Sequence, residues 1–333
     1  MVVEGGDFGG NGQRGLIFQK VTRSSNHQLK GGTFIMKRSI ALGLVVVFVL
    51  GLASFAGAHN PVGELFFAVQ FPDNLAPTID GDLSDWNIVP SSPYPLGADK
   101  LFDPANFQEA GRGELDLSDF NPVHIIGWND NFNKIYFACS VFDNIHNTDR
   151  EDPARHWNDD NWEVEVNPTH LAAEEQNLEA EPVNRIAYKW VVPPVEGVYQ
   201  SIEPIGDLTW LSDGGDYISF GWSFEGEMFG ESTYYYELAI TPIASLPREN
   251  ATPANTEVVD LEQDEIVHIT INNGDIDIAD EYQGFWGTTP EASNIALNDY
   301  VLAEVEPSLA AASDAAGTAV EGASWGQIKA GLQ

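Results

Sequence analysis

Beyond residue 65 the chain alternates apolar and polar residues with a period of two, in short runs rich in aromatic and β-branched side chains. That period puts successive side chains on opposite faces of an extended strand, so one face of each run is built to meet a core. Nine strands are predicted, over 65–71, 123–128, 135–142, 162–166, 185–192, 217–224, 233–241, 266–271 and 300–305. Between them lie Asp73-Asn74, Asn129-Asp130-Asn131, Asp213-Gly214-Gly215 and Asn272-Asn273-Gly274, residue types that tolerate positive φ or imitate a backbone turn. Helical periodicity is nearly absent; the acidic stretch 171–181 reads as a short helix or a solvated loop. Many short strands with explicit turns predict an all-β fold, an antiparallel β-sandwich of jelly-roll type filling residues 59–306 as one domain.

The first 58 residues follow another pattern. Met36-Lys37-Arg38, the apolar run 40–55 and Ala56-Gly57-Ala58 have the charged start, apolar middle and small-residue cleavage site of a secretory signal peptide over 36–58. Residues 1–35 are Gly-rich, polar and aperiodic, and Lys30-Gly31-Gly32 can be encoded by a purine run like a ribosome-binding site ahead of Met36. They read as a start-site misassignment. Cleavage after Ala58 leaves no membrane span in the mature chain and sends it to the extracellular space, the cell surface or the periplasm. At the other end, 307–333 turns rich in Ala, Ser and Gly and closes on Ser324-Trp325-Gly326-Gln327-Ile328-Lys329. This reads as a flexible linker with a short tail, for which docking to a partner and an untethered end fit equally well.

Charge narrows the function classes. The chain has 15 Lys and Arg against 51 Asp and Glu; losing 1–58 removes six basic and two acidic residues, leaving nine and 49, a formal charge of −40. Nucleic acid and anionic membrane surfaces are excluded as partners, because both require clustered cations. A strongly hydrated surface, or sites that collect divalent cations, remain. The single cysteine, Cys139, has no internal disulfide partner and lies in an alternating run, where it reads as a small buried hydrophobe.

The most informative segment is Trp157-Asn158-Asp159-Asp160-Asn161-Trp162-Glu163, which opens the fourth predicted strand. It gathers an aromatic ring, two carboxylates and Glu163, a combination suited to holding a polyhydroxylated ligand. The odd offset between Trp157 and Trp162 places them on opposite faces, so one of them belongs to a site and the other to the core. Trp86, in a Gly-x-x-x-Asp-Trp turn, and Trp128 and Trp190, in alternating strands, read as core. Glu163 and Arg185 fit either ligand contact or a cross-strand pair.

Four blocks, in order, resemble the family 9 carbohydrate-binding modules and their DOMON-like sandwich relatives. They are 77–86, with Asp80-Gly81-Asp82 and Asp85-Trp86; Gly127-Trp128-Asn129-Asp130 with Lys134–Ala138 and Val141-Phe142-Asp143; 157–168; and Tyr235–Ile240 with the closing region 284–305. In that family a sugar chain end is held between aromatic rings, polar neighbours read its hydroxyls, and calcium supports the loops. The resemblance implies a non-catalytic module that binds oligo- or polysaccharide, with Trp157 as the stacking ring, Glu163 as the acid that follows it and Arg185 as the arginine on the next strand. An indole packs on the C–H face of a pyranose, while a carboxylate and a guanidinium exchange paired hydrogen bonds with hydroxyls. The family's second tryptophan is absent: Asn294 stands at its position, and Trp286 matches an earlier tryptophan of the closing loop.

Calcium takes about six to eight oxygens. Two acidic segments are dense enough, 143–152 and 272–281, with Asp143, Asp149, Asp275 and Asp277 as candidate ligands; neither has EF-hand spacing. The histidines show no zinc-ligand spacing. Met228 with a histidine is what a haem-binding relative would use, but no spacing marks the pair. A structural or surface-assembly sandwich is the other reading of the fold, and it would leave Trp157 buried.

Overall fold

All nine predicted runs are strands in the computed structural model, which describes residues 61, 63–102, 115–152, 155–171, 180–193, 200–203, 209–212, 216–278, 284–289 and 297–316. These residues fall within the unit Ser54–Gln333; the unit Met1–Ala53, the signal-like segment 36–58 and the turn at 213–215 lie outside them. The strands are β1 (Phe66–Gln70), β2 (Phe120–Asn129), β3 (Lys134–Asp143), β4 (Asn161–Asn167), β5 (Ile186–Trp190), β6 (Gln200–Glu203), β7 (Ile218–Gly226), β8 (Ser232–Ile240), β9 (Ile243–Ser245), β10 (Glu257–Val258), β11 (Ile266–Asp275), β12 (Gly284–Gly287) and β13 (Asn298–Leu302). Asn272-Asn273-Gly274, predicted as a turn, is instead the end of β11. Each of the three is paired on both sides: Asn272 with Glu163 and Gly287, Asn273 with Trp162 and Trp286, Gly274 with Asn161 and Phe285. Two ladders of backbone hydrogen bonds outweigh a local turn preference.

Hydrogen bonding runs β6-β5-β4-β11-β13-β1 through one sheet, with β12 also on β11, and β1-β2-β3-β8-β7 through the other; β9 and β10 form a separate ribbon. The strand β1 belongs to both sheets. Phe66–Ala68 pair with β13, then Val69 and Gln70 pair with β2, both in parallel, against the antiparallel arrangement of the other described pairs.

Side-chain parity decides what lies between the sheets. Trp162, Val164 and Val166 of β4 and Val267, Ile269 and Ile271 of β11 share one core with Ile135, Phe137, Cys139 and Val141 of β3 and Tyr234, Tyr236, Leu238 and Ile240 of β8. Rings meet across the gap: Trp162 to Tyr236 at 5.0 Å and Trp190 to Phe220 at 4.4 Å between centroids. Trp128, Trp162 and Trp190 are fully buried. A side chain of this size withdraws roughly 150–250 Å² from water, a gross contribution of about 4–6 kcal/mol each before chain entropy is set against it. Cys139 is buried and unbridged, as its run implied.

The outer face of the second sheet is capped by the segment 71–94 and by Leu309. Phe71, Trp86, Tyr94 and Leu309 cover Tyr136, Ala138 and Ala239. Trp86 sits in the 3-10 turn Leu83–Ile88, capped by Asp82, whose side chain accepts from Ser84 N. Its indole donates to Glu237 Oε1 at 2.8 Å, and Glu237 Oε2 accepts from Gly81 N at 2.7 Å and Asp80 N at 2.9 Å. Gly81 is required here: its φ is +87°, and a Cβ would lie 2.3 Å from the Trp222 carbonyl carbon. Residues 307–316, read from composition as linker, are helical. Leu309 is buried, and Asn74 Nδ2 donates to Ser313 O at 3.1 Å. Alanine favours helix as readily as it fills linkers, and composition alone does not separate the two. No helix among the described residues is long and apolar enough to cross a membrane.

Candidate polar face and carboxylate cluster

The outward face of the first sheet is polar and buried. Strand register lines up Lys189, Glu163 and Asn272 in one rung, Ala187, Glu165 and Thr270 in the next, and Asn167, His268 and Asp299 in the third. Arg185, just before β5, donates Nε to Glu165 Oε2 at 2.7 Å, and a second guanidinium nitrogen contacts the same oxygen. At the edge of this face the 3-10 turn His156–Asn158 leads into β4. Trp157 there is 42% exposed, whereas Trp162 is wholly buried between the sheets. The two tryptophans therefore take the opposite faces that their offset implied.

His156 joins Trp157 to the polar floor. Its ring lies edge-on to the indole at 5.1 Å, and its Nε2 is 3.2 Å from Glu163 Oε1, an oxygen that also has Lys189 Nζ at 3.6 Å. Burial alone would raise the Glu163 carboxyl; Lys189 and then His156 outweigh it and hold the group below the usual range, as an anion. At Glu165 burial prevails over Arg185 and the carboxyl is raised. Deeper in the face, Arg185 Nη1, Thr270 Oγ1 and both side-chain polar atoms of Asn272 are buried without a hydrogen-bond partner. Groups in that state cost about 1–3 kcal/mol each. Together they offer both donors and acceptors to an incoming polar molecule.

Several predicted residues sit elsewhere. Arg185 pairs with Glu165, two residues along β4 from Glu163. Asp159 is bound by Arg150, whose backbone N–H donates to Oδ1 at 2.9 Å and whose guanidinium meets Oδ2. Asp160 points between the sheets. Of the three carboxylates in 157–163, only Glu163 is linked to Trp157, through His156. Trp286, opposite Asn273, is 6% exposed and belongs to the inter-sheet core, on the far side of the sheet from Glu163. Asn294 lies outside the described residues. Lys189, Asn272 and Thr270 escaped the sequence reading because cross-strand register brings the first two to Glu163 and the third to Glu165, and His156 because the turn before β4 folds it back on Glu163.

A second cluster closes one end of the core. Asp143, at the end of β3, accepts from Ile145 N at 2.8 Å and from Tyr234 Oη at 3.1 Å. Asp160 accepts from Ile276 N at 2.7 Å and Asn147 N at 2.5 Å. His146 Nδ1 lies 3.4 Å from Asp160 Oδ2 and 3.8 Å from Asp143 Oδ2. Burial, then the charges of Asp160 and Asp143, push the Asp275 carboxyl up to about 9. Burial followed by Asp119 and Asp143 lifts Asp277 to about 6. Asp160 is also raised well above the ordinary value, by burial and then Asp143. Among the described residues neither Asp143 nor Asp160 forms an ion pair with Lys or Arg, and His146 is the basic group set between them.

Three of the four predicted metal ligands, Asp143, Asp275 and Asp277, thus act on one another here. Asp149 does not: it is exposed, and its charge falls on Asp159. Asp160 and His146 were missed, Asp160 because it sits in the segment read as sugar-binding. The donor set is rich in carboxylate oxygen, which fits a hard cation of the calcium kind. Met228 is exposed, and its sulfur meets Thr148 Oγ1 at 3.9 Å.

No known family profile matches this sequence, and no curated protein does. Solved structures are similar in outline. A family 9 carbohydrate-binding module from Caldicellulosiruptor kristjanssonii, solved with cellotriose, has 14% identity and a TM-score of 0.43, covering 73% of this chain and 96% of the module. The same organism's family 9 module solved with glucose gives 13% identity and 0.43, covering 73% and 98%. At that identity and score the likeness adds nothing about a ligand, which the side chains have to specify.

Proposed function

We propose that this chain is an exported, non-catalytic carbohydrate-binding protein whose sugar packs against Trp157 and is read by the polar face beside it. The observation that carries the reading is the pairing of an exposed indole with a buried floor of unsatisfied donors and acceptors. A sugar has the matching duality, an apolar C–H face and a ring of hydroxyls that both donate and accept. Glu163 supplies charged acceptors, Lys189 and Arg185 donors, and Thr270 and Asn272 neutral partners. Trp286 and Asn294 have no part in this reading. Both floor carboxylates are already committed to cations, Glu163 to Lys189 and Glu165 to Arg185, which suits recognition better than proton transfer. The exposure of Trp157 favours a binding platform over a purely structural sandwich.

Calcium belongs to the same proposal in a supporting role. It would be held by Asp143, Asp160 and Asp275, with Asp277 beside them, where it would neutralise a carboxylate cluster that is otherwise repulsive and tie the ends of β3 and β11 to the start of β4. Retention on insoluble glucan and xylan, compared between the parent and Trp157→Ala, tests the sugar reading: selective retention of the parent supports it, and equal retention of both removes Trp157 from the site.

A further inference from the structure

The third rung of the polar face holds a group that the sugar reading does not use. His268 on β11 faces outward with Asp299 of β13 directly across the ladder, Nδ1 to Oδ1 at 3.1 Å. After β4 the chain turns back on Asn167, whose Oδ1 accepts from Thr169 N at 2.7 Å and Thr169 Oγ1 at 2.6 Å. The turn carries His170 to His268, with ring centroids 5.3 Å apart. One nitrogen from each histidine and one Asp299 oxygen lie within 4.8 Å of one another. His268 is only 3% exposed, yet neither of its ring nitrogens makes a hydrogen bond, the approach to Asp299 being too poorly aligned for one. A buried imidazole left so has lost its solvation without gaining a hydrogen bond in return. Nothing in the chain spacing of His170 and His268 signals a ligand pair; the fold brings them together.

We propose that His170, His268 and Asp299 bind a divalent transition metal, with zinc as the natural probe. Two imidazoles and one carboxylate suit a borderline cation and are poor calcium ligands, which separates this site from the carboxylate cluster. The three ligands come from three segments, the turn after β4, β11 and β13, and His170 is exposed, so the fourth coordination position opens toward solvent. Three protein ligands with an open position characterise sites that exchange water or a small ligand at the metal, unlike closed structural sites. The site is independent of the sugar reading and stands or falls apart from it.

The test is calorimetric zinc titration of the EDTA-stripped full chain, with calcium in excess to occupy the carboxylate cluster, and cobalt absorption as a spectroscopic check. One zinc per chain is expected, with affinity weakened about 100-fold or more in His170→Gln and in His268→Gln, at least the loss seen when an outer-shell partner is removed. His170 is exposed, so its variant keeps the fold and leaves the comparison interpretable. The visible cobalt bands should vanish in the same variants. Absence of zinc binding, equal affinity in parent and His170→Gln, or zinc binding lost only in Asp160→Asn would each overturn the site.

Discussion

Lys189 stands directly across the β4–β5 ladder from Glu163, its Nζ 3.6 Å from Oε1, and the carboxyl it faces is buried. The ammonium and His156 together keep Glu163 ionised against the cost of burial. Lys189→Met removes the ammonium and leaves only His156 beside the buried carboxylate, so it should destabilise the fold by about 1–3 kcal/mol and weaken sugar binding. Urea unfolding measures the first effect and titration with an oligosaccharide the second. Unchanged stability would mean that His156 alone satisfies Glu163.

Trp157 separates binding from folding. Its ring is 42% exposed, so Trp157→Ala should shift stability by no more than about 0.5 kcal/mol while abolishing measurable sugar affinity. Trp162→Ala should do the reverse through the core, with a loss of about 3–5 kcal/mol. Thermal melts of the two variants side by side distinguish the roles.

The carboxylate cluster gives stability a sign with pH. In the metal-free folded protein Asp275 keeps its proton to about 9 and Asp277 to about 6, whereas unfolded aspartate releases it near ~4. The folded state then holds more protons than the unfolded one across that window, so metal-free stability is greatest at the acid end and falls as pH rises from about 4 through 9. Calcium bound at the proposed cluster would replace the protons and should flatten the slope. Denaturant midpoints at pH 5, 7 and 8.5, in EDTA and in calcium, check this; a rising midpoint in EDTA would contradict it.

Asp275→Asn isolates the cation. At neutral pH the metal-free Asp275 is held neutral, and an amide of the same shape replaces it with little change in EDTA. With a carboxylate ligand gone, most of the calcium-induced rise should disappear; for the parent that rise is about 2.7 kcal/mol when calcium is a hundred times its Kd. Differential scanning with and without calcium reads both arms. A calcium shift that persists in full would place the cation elsewhere.

What was legible in the sequence was whatever period two encodes. Alternation marked β4 as a strand without saying which face Glu163 takes, and the odd offset divided Trp157 from Trp162. Pairings between distant strands were not legible. Asn272-Asn273-Gly274 has the composition of a turn and becomes strand only because β4 and β12 flank it. Arg185 was matched to Glu163, yet it meets Glu165, since Glu163 faces Lys189 across the ladder while Arg185 lies just ahead of Ala187, the residue across from Glu165. Asp160 looked like a sugar ligand beside Trp157, but the turn before β4 sends it inward to Asp143. The helix at 307–316 hid in Ala-rich composition, and its anchor, buried Leu309, is a single apolar residue that no local pattern singles out.

The most direct measurement is calorimetric titration of the calcium-loaded protein with cello-, xylo- and other oligosaccharides, repeated with Trp157→Ala. Saturable heat with at least one glycan, lost in the variant while its melting temperature stays that of the parent, is the result expected of a sugar held on Trp157 above the Glu163 face. A folded, calcium-loaded parent that gives no heat with any glycan, or a variant that binds as tightly as the parent, would contradict it.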